Sequence, residues 1–268
     1  MTLIVGVKCS DGIVLGADST ATLGIPLGGS TIRQDTVTKL HIASGKLVIG
    51  VSGPVSLSQS YSDEIDAYIS LKGLKITWKN VAEAKAELVK LLWKHAKPAW
   101  ERAGVVSQTV GAQAAVIECN HASAAAFAIG DSPHLIQFSP HCNPEEVTQD
   151  LPFVAIGSGQ GLADPFLAFI RRIFWSAGLP SLFDGQIATV WTLDEVIKHN
   201  PGGVGGDVKL VVVKKNDKGN WVCEEVPSAE IDGHRQFITD IERRMREAPV
   251  STPAETIPSV TEPPEPAS

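Results

Sequence analysis

The sequence predicts an α+β fold in which two antiparallel sheets are sandwiched between pairs of helices. Strand-like runs follow strand-like runs instead of alternating with helices, and helical segments come in pairs, in the order β, α-α, β, α-α, β. Strict alternation would have pointed to a doubly wound parallel sheet. With 268 residues, 43% of them apolar and 20% charged, the chain can bury a substantial core.

The elements follow in order. LIVGVK (3–8) and IVLGAD (13–18) flank Ser10-Asp11-Gly12 and read as a hairpin, with Gly12 supplying positive φ at the turn. Residues 22–36 are polar and Gly-containing, a loop by composition. TKLHI (38–42) and KLVIGVS (46–52) form a second hairpin around Ala43-Ser44-Gly45. A first helix is predicted over 55–71. A second over 80–96 has Val81, Ala84, Leu88, Leu91 and Leu92 on one face, Asn80 as its cap, and Pro98 just beyond its end. Strands resume at GAQAAVIEC (111–119), SAAAFAIG (123–130), HLIQFS (134–139) and PFVAIG (152–157). Helices are predicted over 161–176 and 185–199. A closing hairpin of 207–213 and 220–224 turns at Asn216-Asp217-Lys218-Gly219, and a C-terminal helix spans 228–247. Residues 1–247 thus read as one domain. The segment 248–268 has six prolines and almost no large apolar residues, the composition of a disordered tail.

A net charge of -7 and the lack of any Lys/Arg cluster argue against nucleic-acid or anionic-membrane partners. Neither a run of about 18 apolar residues nor a signal-peptide pattern is present, which predicts a cytoplasmic protein. Cys9, Cys119, Cys142 and Cys223 lack framework spacing and are expected to be free thiols. Cys119-Asn120-His121 and His141-Cys142 match no common structural-zinc spacing, and GSGQG lacks the Lys-Ser/Thr of a phosphate loop; no metal and no cofactor are expected.

Five pieces taken together carry a resemblance: Thr2 near the terminus, GIVLGADS with its Asp, Lys39 in TKLHI, the VSG that follows, and IGSGQG opening a helix. The chain resembles proteasome β-subunits and the bacterial HslV peptidase, N-terminal-nucleophile hydrolases of αββα fold, over roughly residues 2–225. The resemblance implies a four-layer sandwich and a threonine endopeptidase that acts once Met1 is removed. Thr2 would then hold nucleophilic hydroxyl and basic α-amine on one residue. Lys39 resembles the lysine whose positive charge disfavours protonation of that amine. Asp18 would pair with Lys39, Gly53 would offer a backbone N–H to the oxyanion, and Ser158 would hydrogen-bond near the terminal amine. Ala21, Thr22, Val51 and Val55 would form a small apolar substrate pocket.

The resemblance also implies homo-oligomeric rings, stacked in pairs, working on peptide or unfolded protein with an ATP-dependent unfoldase. One departure stands out. The family commonly has Asp-x-x-Ser-Gly-Gly before the late strand, whereas this chain has PGGVGG, placing Pro201 and Val204 at the two polar positions and leaving Asn200 or Asp194 as substitutes. A non-catalytic or weakly active ring subunit, or a small-amide hydrolase of the same class, is the alternative.

Overall fold

The computed structural model describes residues 2–23, 32–34, 36–73, 76–109, 120–175, 178–200 and 204–248. The strand predicted over 111–119, Cys119, Pro201 and the tail from residue 249 lie outside them.

Two antiparallel sheets form the centre. β1 (Leu3–Lys8) lies between β10 (Phe153–Gly157) and β2 (Gly12–Ala17). Next to β2 come β11 (Lys209–Lys215) and β12 (Trp221–Glu225), giving the order β10-β1-β2-β11-β12. The second sheet has the order β5 (Leu40–Ala43), β6 (Leu47–Ser52), β7 (Ala122–Ile129), β8 (Ser132–Phe138) and β9 (Pro144–Glu146). Helices α1 (Val55–Leu71) and α2 (Val81–Thr109) cover the second sheet. α3 (Gln160–Phe174), α4 (Leu182–His199) and α5 (Ser228–Glu247) cover the first.

The two-residue period of the strands explains the layering. Along β1, Leu3, Val5 and Val7 pack toward α3 and α4, while Ile4 enters the core between the sheets. Along β6, Leu47, Ile49 and Val51 pack toward α1 and α2, while Val48 faces the first sheet. Both faces of each strand are therefore apolar, and each fully buried Leu, Ile or Val contributes about 1.5–3 kcal/mol of transfer free energy. The result is the αββα sandwich that the order of elements predicts.

The turns give the first corrections. Ser44 and Gly45 both take positive φ (51° and 63°), with Lys46 N–H donating to Ala43 O at 3.0 Å as in a primed turn, and Ala43 pairs with Leu47 across the loop 44–46. Gly12 does not belong to the positive-φ residues among those described. A Cβ there would lie 2.4 Å from Val213 O, so the close approach of β11 demands glycine, not the turn.

The second helix does not stop before Pro98 but runs through it to Thr109. Pro98 lacks the N–H that would reach back to Lys94 O. The apolar stripe nevertheless continues through buried Ala96, Ala99 and Ala103, and Trp100 Nε1 donates to Pro140 O at 2.8 Å, so tertiary packing outweighs the break. Asn80 does cap α2, its Oδ1 accepting from Glu83 N–H at 2.9 Å. α4 starts a turn earlier than predicted because Ser181 Oγ accepts from Asp184 N–H. β3 (Ala21–Leu23) and β4 (Ile32–Gln34) form a small hairpin inside the stretch read as loop. β9 also went unpredicted; its Glu146 is held by Lys85 at 3.0 Å and His134 at 2.9 Å.

Candidate active site

β1 is the inner neighbour of β10, and this pairing sets Leu3 opposite Gly157. Thr2 therefore lies beside the β10–α3 turn. Its backbone N–H donates to Ser158 Oγ at 3.2 Å, and Ser158 Oγ donates to Thr2 O at 3.3 Å. The position equivalent to the helix cap is Gly159, so Ser158 is not spent on capping α3. Gly157 has φ +102°, and a Cβ there would sit 2.1 Å from Thr2 O. Only glycine lets the two chains approach this closely.

Asp18 follows β2 directly and is 1% exposed. Its Oδ1 accepts from Lys39 Nζ at 2.6 Å and from Leu3 N–H at 2.9 Å; its Oδ2 accepts from Gly205 N–H at 3.0 Å. One carboxylate thus joins three segments: the residue after Thr2, the lysine preceding β5, and the loop before β11. Burial pushes the Lys39 amine below the ordinary lysine value, while the Asp18 charge and hydrogen bond pull it back up.

The loop before β11 is clasped by backbone groups that the sequence reading missed. Gly205 O accepts from Ser19 N–H at 3.1 Å and Thr20 N–H at 3.0 Å, and Asp207 N–H donates to Ser19 Oγ at 2.7 Å. Main-chain donors carry no side-chain signal. Val204 is buried in the apolar cluster that includes Leu3 and Val196. Asn200 is the last cap of α4. Asp194 does not serve this loop: both its oxygens bind Arg235 of α5, at 2.9 and 3.0 Å.

Gly53 sits at the junction of β6 and α1 with φ +131°. Ala21 and Val51 are buried, Val51 in the core under α1 and α2, while Val55 is 39% exposed at the start of α1. Of Thr22 only the backbone is described, paired with Arg33. A cavity of about 600 Å³ opens beside Lys39, but its walls come from Ser19, Thr36–Leu40, Asp207, Lys209–Val211 and Glu225–Ser228, not from Ala21, Val51 or Val55.

The Cys/His pairs set aside as a zinc motif are used otherwise. His141 stacks on Trp100 with centroids 4.0 Å apart, and Cys142 and His121 are buried against Tyr61. Among the described residues no group of three or more His, Cys, Asp or Glu could hold a metal ion.

Comparison with known proteins agrees with this architecture. The sequence model of the proteasome subunit family matches residues 2–112, in line with the resemblance drawn from the sequence. The structure superposes on the Anbu ancestral β-subunit of Yersinia bercovieri with a TM-score of 0.65 at 16% identity, covering 93% of this chain and 99% of that one. A Gly-1 mutant of Anbu from Hyphomicrobium sp. strain MC1 gives 0.64 at 17% identity, over 94% and 99% of the two chains. Anbu of Pseudomonas aeruginosa, solved as a helical assembly, gives 0.61 at 17% identity, over 95% and 100%. No curated protein matches in sequence. None of the described helices is long and apolar enough to cross a membrane.

Proposed function

We propose that the chain is a threonine peptidase subunit of a self-compartmentalised ring, with Thr2 as nucleophile once Met1 is removed. The observation that carries this reading is the 2.6 Å contact of Lys39 with Asp18, whose same oxygen binds Leu3 N–H next to Thr2. A buried cation is thereby anchored one residue from the nucleophile, where it disfavours protonation of the freed α-amine. The amine then takes the Thr2 hydroxyl proton as the oxygen attacks the peptide carbonyl. Gly53 N–H stabilises the oxyanion, the amine returns the proton to the departing peptide nitrogen, and water hydrolyses the resulting ester. Ser158 orients Thr2. Selectivity comes from a closed chamber built by copies of the chain, with an ATP-dependent unfoldase as the partner that feeds it.

The test is intact-mass measurement of protein purified from its own host, with and without a peptide epoxyketone. The expected result is loss of Met1 and one adduct per chain, absent in Thr2→Ala, on a particle that light scattering shows to contain a dozen or so subunits. Retention of Met1 in every molecule overturns the peptidase reading. A second reading, a ring subunit without efficient chemistry, is favoured by buried, apolar Val204 at a position where relatives place a hydroxyl. It predicts the same assembly with no adduct.

A further inference from the structure

We infer that Tyr61 and His121 form a buried positioning pair for Gly53, and that their hydrogen bond governs the acyl-transfer step without contributing to substrate binding. This inference rests on the peptidase reading. A backbone donor can stabilise an oxyanion only if the direction of its N–H is fixed before the reaction. At Gly53 three things fix it. On one side, β6 pairs with β7 through Ser52 and Ala122. On the other, Pro54 O accepts N–H groups from the first turn of α1, Leu57 at 3.0 Å and Ser58 at 3.2 Å. From behind, Gly53 lies flat on the chain preceding β7: a Cβ at Gly53 would meet His121 Cβ at 2.7 Å and both Asn120 O and His121 Cα at 3.0 Å.

His121 therefore forms the floor under Gly53, and it is 2% exposed. Its Nε2 is hydrogen-bonded to Tyr61 Oη at 3.0 Å. Tyr61 lies in the second turn of α1 and is fully buried, with its hydroxyl also 3.7 Å from Cys142 Sγ. The bond ties the residue just before β7, which lies against Gly53, to α1, which follows Gly53 in the chain. The surrounding layer is otherwise filled by side chains such as Leu57, Ile65, Leu88 and Phe127. An apolar pair would pack there without the roughly 1–3 kcal/mol exposure to loss that a buried, unmatched polar group carries. What the polar pair adds is direction. It admits one registry of α1 on β7 and so one orientation of Gly53, and an error of about 1 Å in such a group can cost roughly a hundredfold in rate.

The experiment uses the full chain and a fluorogenic peptide, with Tyr61→Phe, His121→Phe, their double mutant and His121→Gln. Tyr61→Phe keeps the ring and the packing. Its expected effect is about a tenfold fall in kcat with KM within twofold, the signature of an interaction made in the transition state. The double mutant should lose less than the sum of the two single losses, because the Tyr61–His121 bond is lost in all three. His121→Gln, which returns a hydrogen-bonding group toward Tyr61, should recover most of the rate. Hydrogen exchange at Leu57 and Ser58, whose N–H groups donate to Pro54 O, should quicken in Tyr61→Phe with no change along β1, and this readout does not depend on turnover. Unchanged exchange in Tyr61→Phe overturns the pairing even if the wild type hydrolyses nothing, a result that would separately overturn the peptidase reading. A rise in KM at constant kcat, or additive losses in the double mutant, likewise overturns it.

Discussion

Replacing Lys39 by Met keeps most of the side-chain volume and removes the charge, so it isolates the electrostatic role of the pair. At 2.6 Å the attraction between Lys39 and Asp18 is about 6 kcal/mol for an effective dielectric of about 20. Desolvation of two nearly buried ions opposes it, so the informative quantity is not the gross attraction but the cost of leaving one partner alone, about 3–5 kcal/mol. Lys39→Met leaves the Asp18 carboxylate with two backbone donors, Leu3 and Gly205, which holds the cost near the lower end. Asp18→Asn leaves a buried ammonium without its counter-charge and turns an amide NH2 toward one of those N–H groups. The double mutant removes both charges. Urea unfolding followed by circular dichroism at fixed protomer concentration should therefore show the two single losses exceeding the double by about 3 kcal/mol. All three variants should lack turnover under conditions where the spectrum reports a folded chain. A coupling below about 0.5 kcal/mol would place the pair among ordinary surface bridges. Wild-type turnover in folded Lys39→Met would refute the assignment of Lys39 to the Thr2 amine.

Two further outcomes follow from the geometry. Gly157→Ala places a methyl group against Thr2 O at a φ of +102°, and the left-handed strain alone costs about 1–2 kcal/mol; the urea midpoint should fall and the epoxyketone adduct form more slowly, whereas an unchanged adduct rate would mean that Thr2 is not held by this contact. His234, buried in α5 and bonded to Gln186 Oε1 at 2.9 Å, has its pKa lowered below 6.5 by burial, with Glu230 opposing. The unfolded chain then binds the proton more readily, so stability is lost as pH falls through 6.5 toward the folded value; His234→Gln should flatten the melting temperature between pH 7 and 5, and an undiminished slope would assign the acid sensitivity elsewhere.

How much of this was legible depended on where the signal lay. Short, continuous, β-branched runs such as Leu3–Lys8 and Leu47–Ser52, apolar on both faces and bounded by turn residues, announce buried strands, and the paired helices announce the outer layers. The end of α2 was misread because Pro98 is a strong local breaker, whereas the stripe Ala96, Ala99, Ala103 that overrides it is made of small residues with little hydrophobic signal. β3, β4 and β9 are three residues each, too short for a period to register. Asp18, Lys39 and Ser158, singled out by the family resemblance, lie around Thr2 and Leu3, with Ser158 on Thr2 and Lys39 on the Asp18 oxygen that binds Leu3 N–H. Gly205 was invisible because it acts through its main chain, and Asp194 was misplaced because its partner Arg235 lies on a helix whose packing against α4 no local pattern reveals.

The PGGVGG departure changes meaning once the backbone is considered. In an Asp-x-x-Ser loop the side chains can do two jobs, holding the loop on the strand that carries the aspartate and presenting polar groups to the threonine. Here the first job belongs to main-chain atoms. Gly205 N–H binds Asp18 Oδ2, Gly205 O takes the N–H groups of Ser19 and Thr20, and Asp207 N–H binds Ser19 Oγ. Val204 can then be apolar and sink into the core beside Leu3 without releasing the loop. The second job falls to Ser158, which contacts both the N–H and the C=O of Thr2. On the peptidase reading, a Val204→Ser change would not repair a missing contact. It would bury a hydroxyl in an apolar cluster at a cost of about 1–3 kcal/mol from unmatched polarity. On that reading the site's chemistry depends on Ser158 and the Asp18–Lys39 pair, and Ser158→Ala is the substitution that separates an oriented Thr2 from one merely held in a strand.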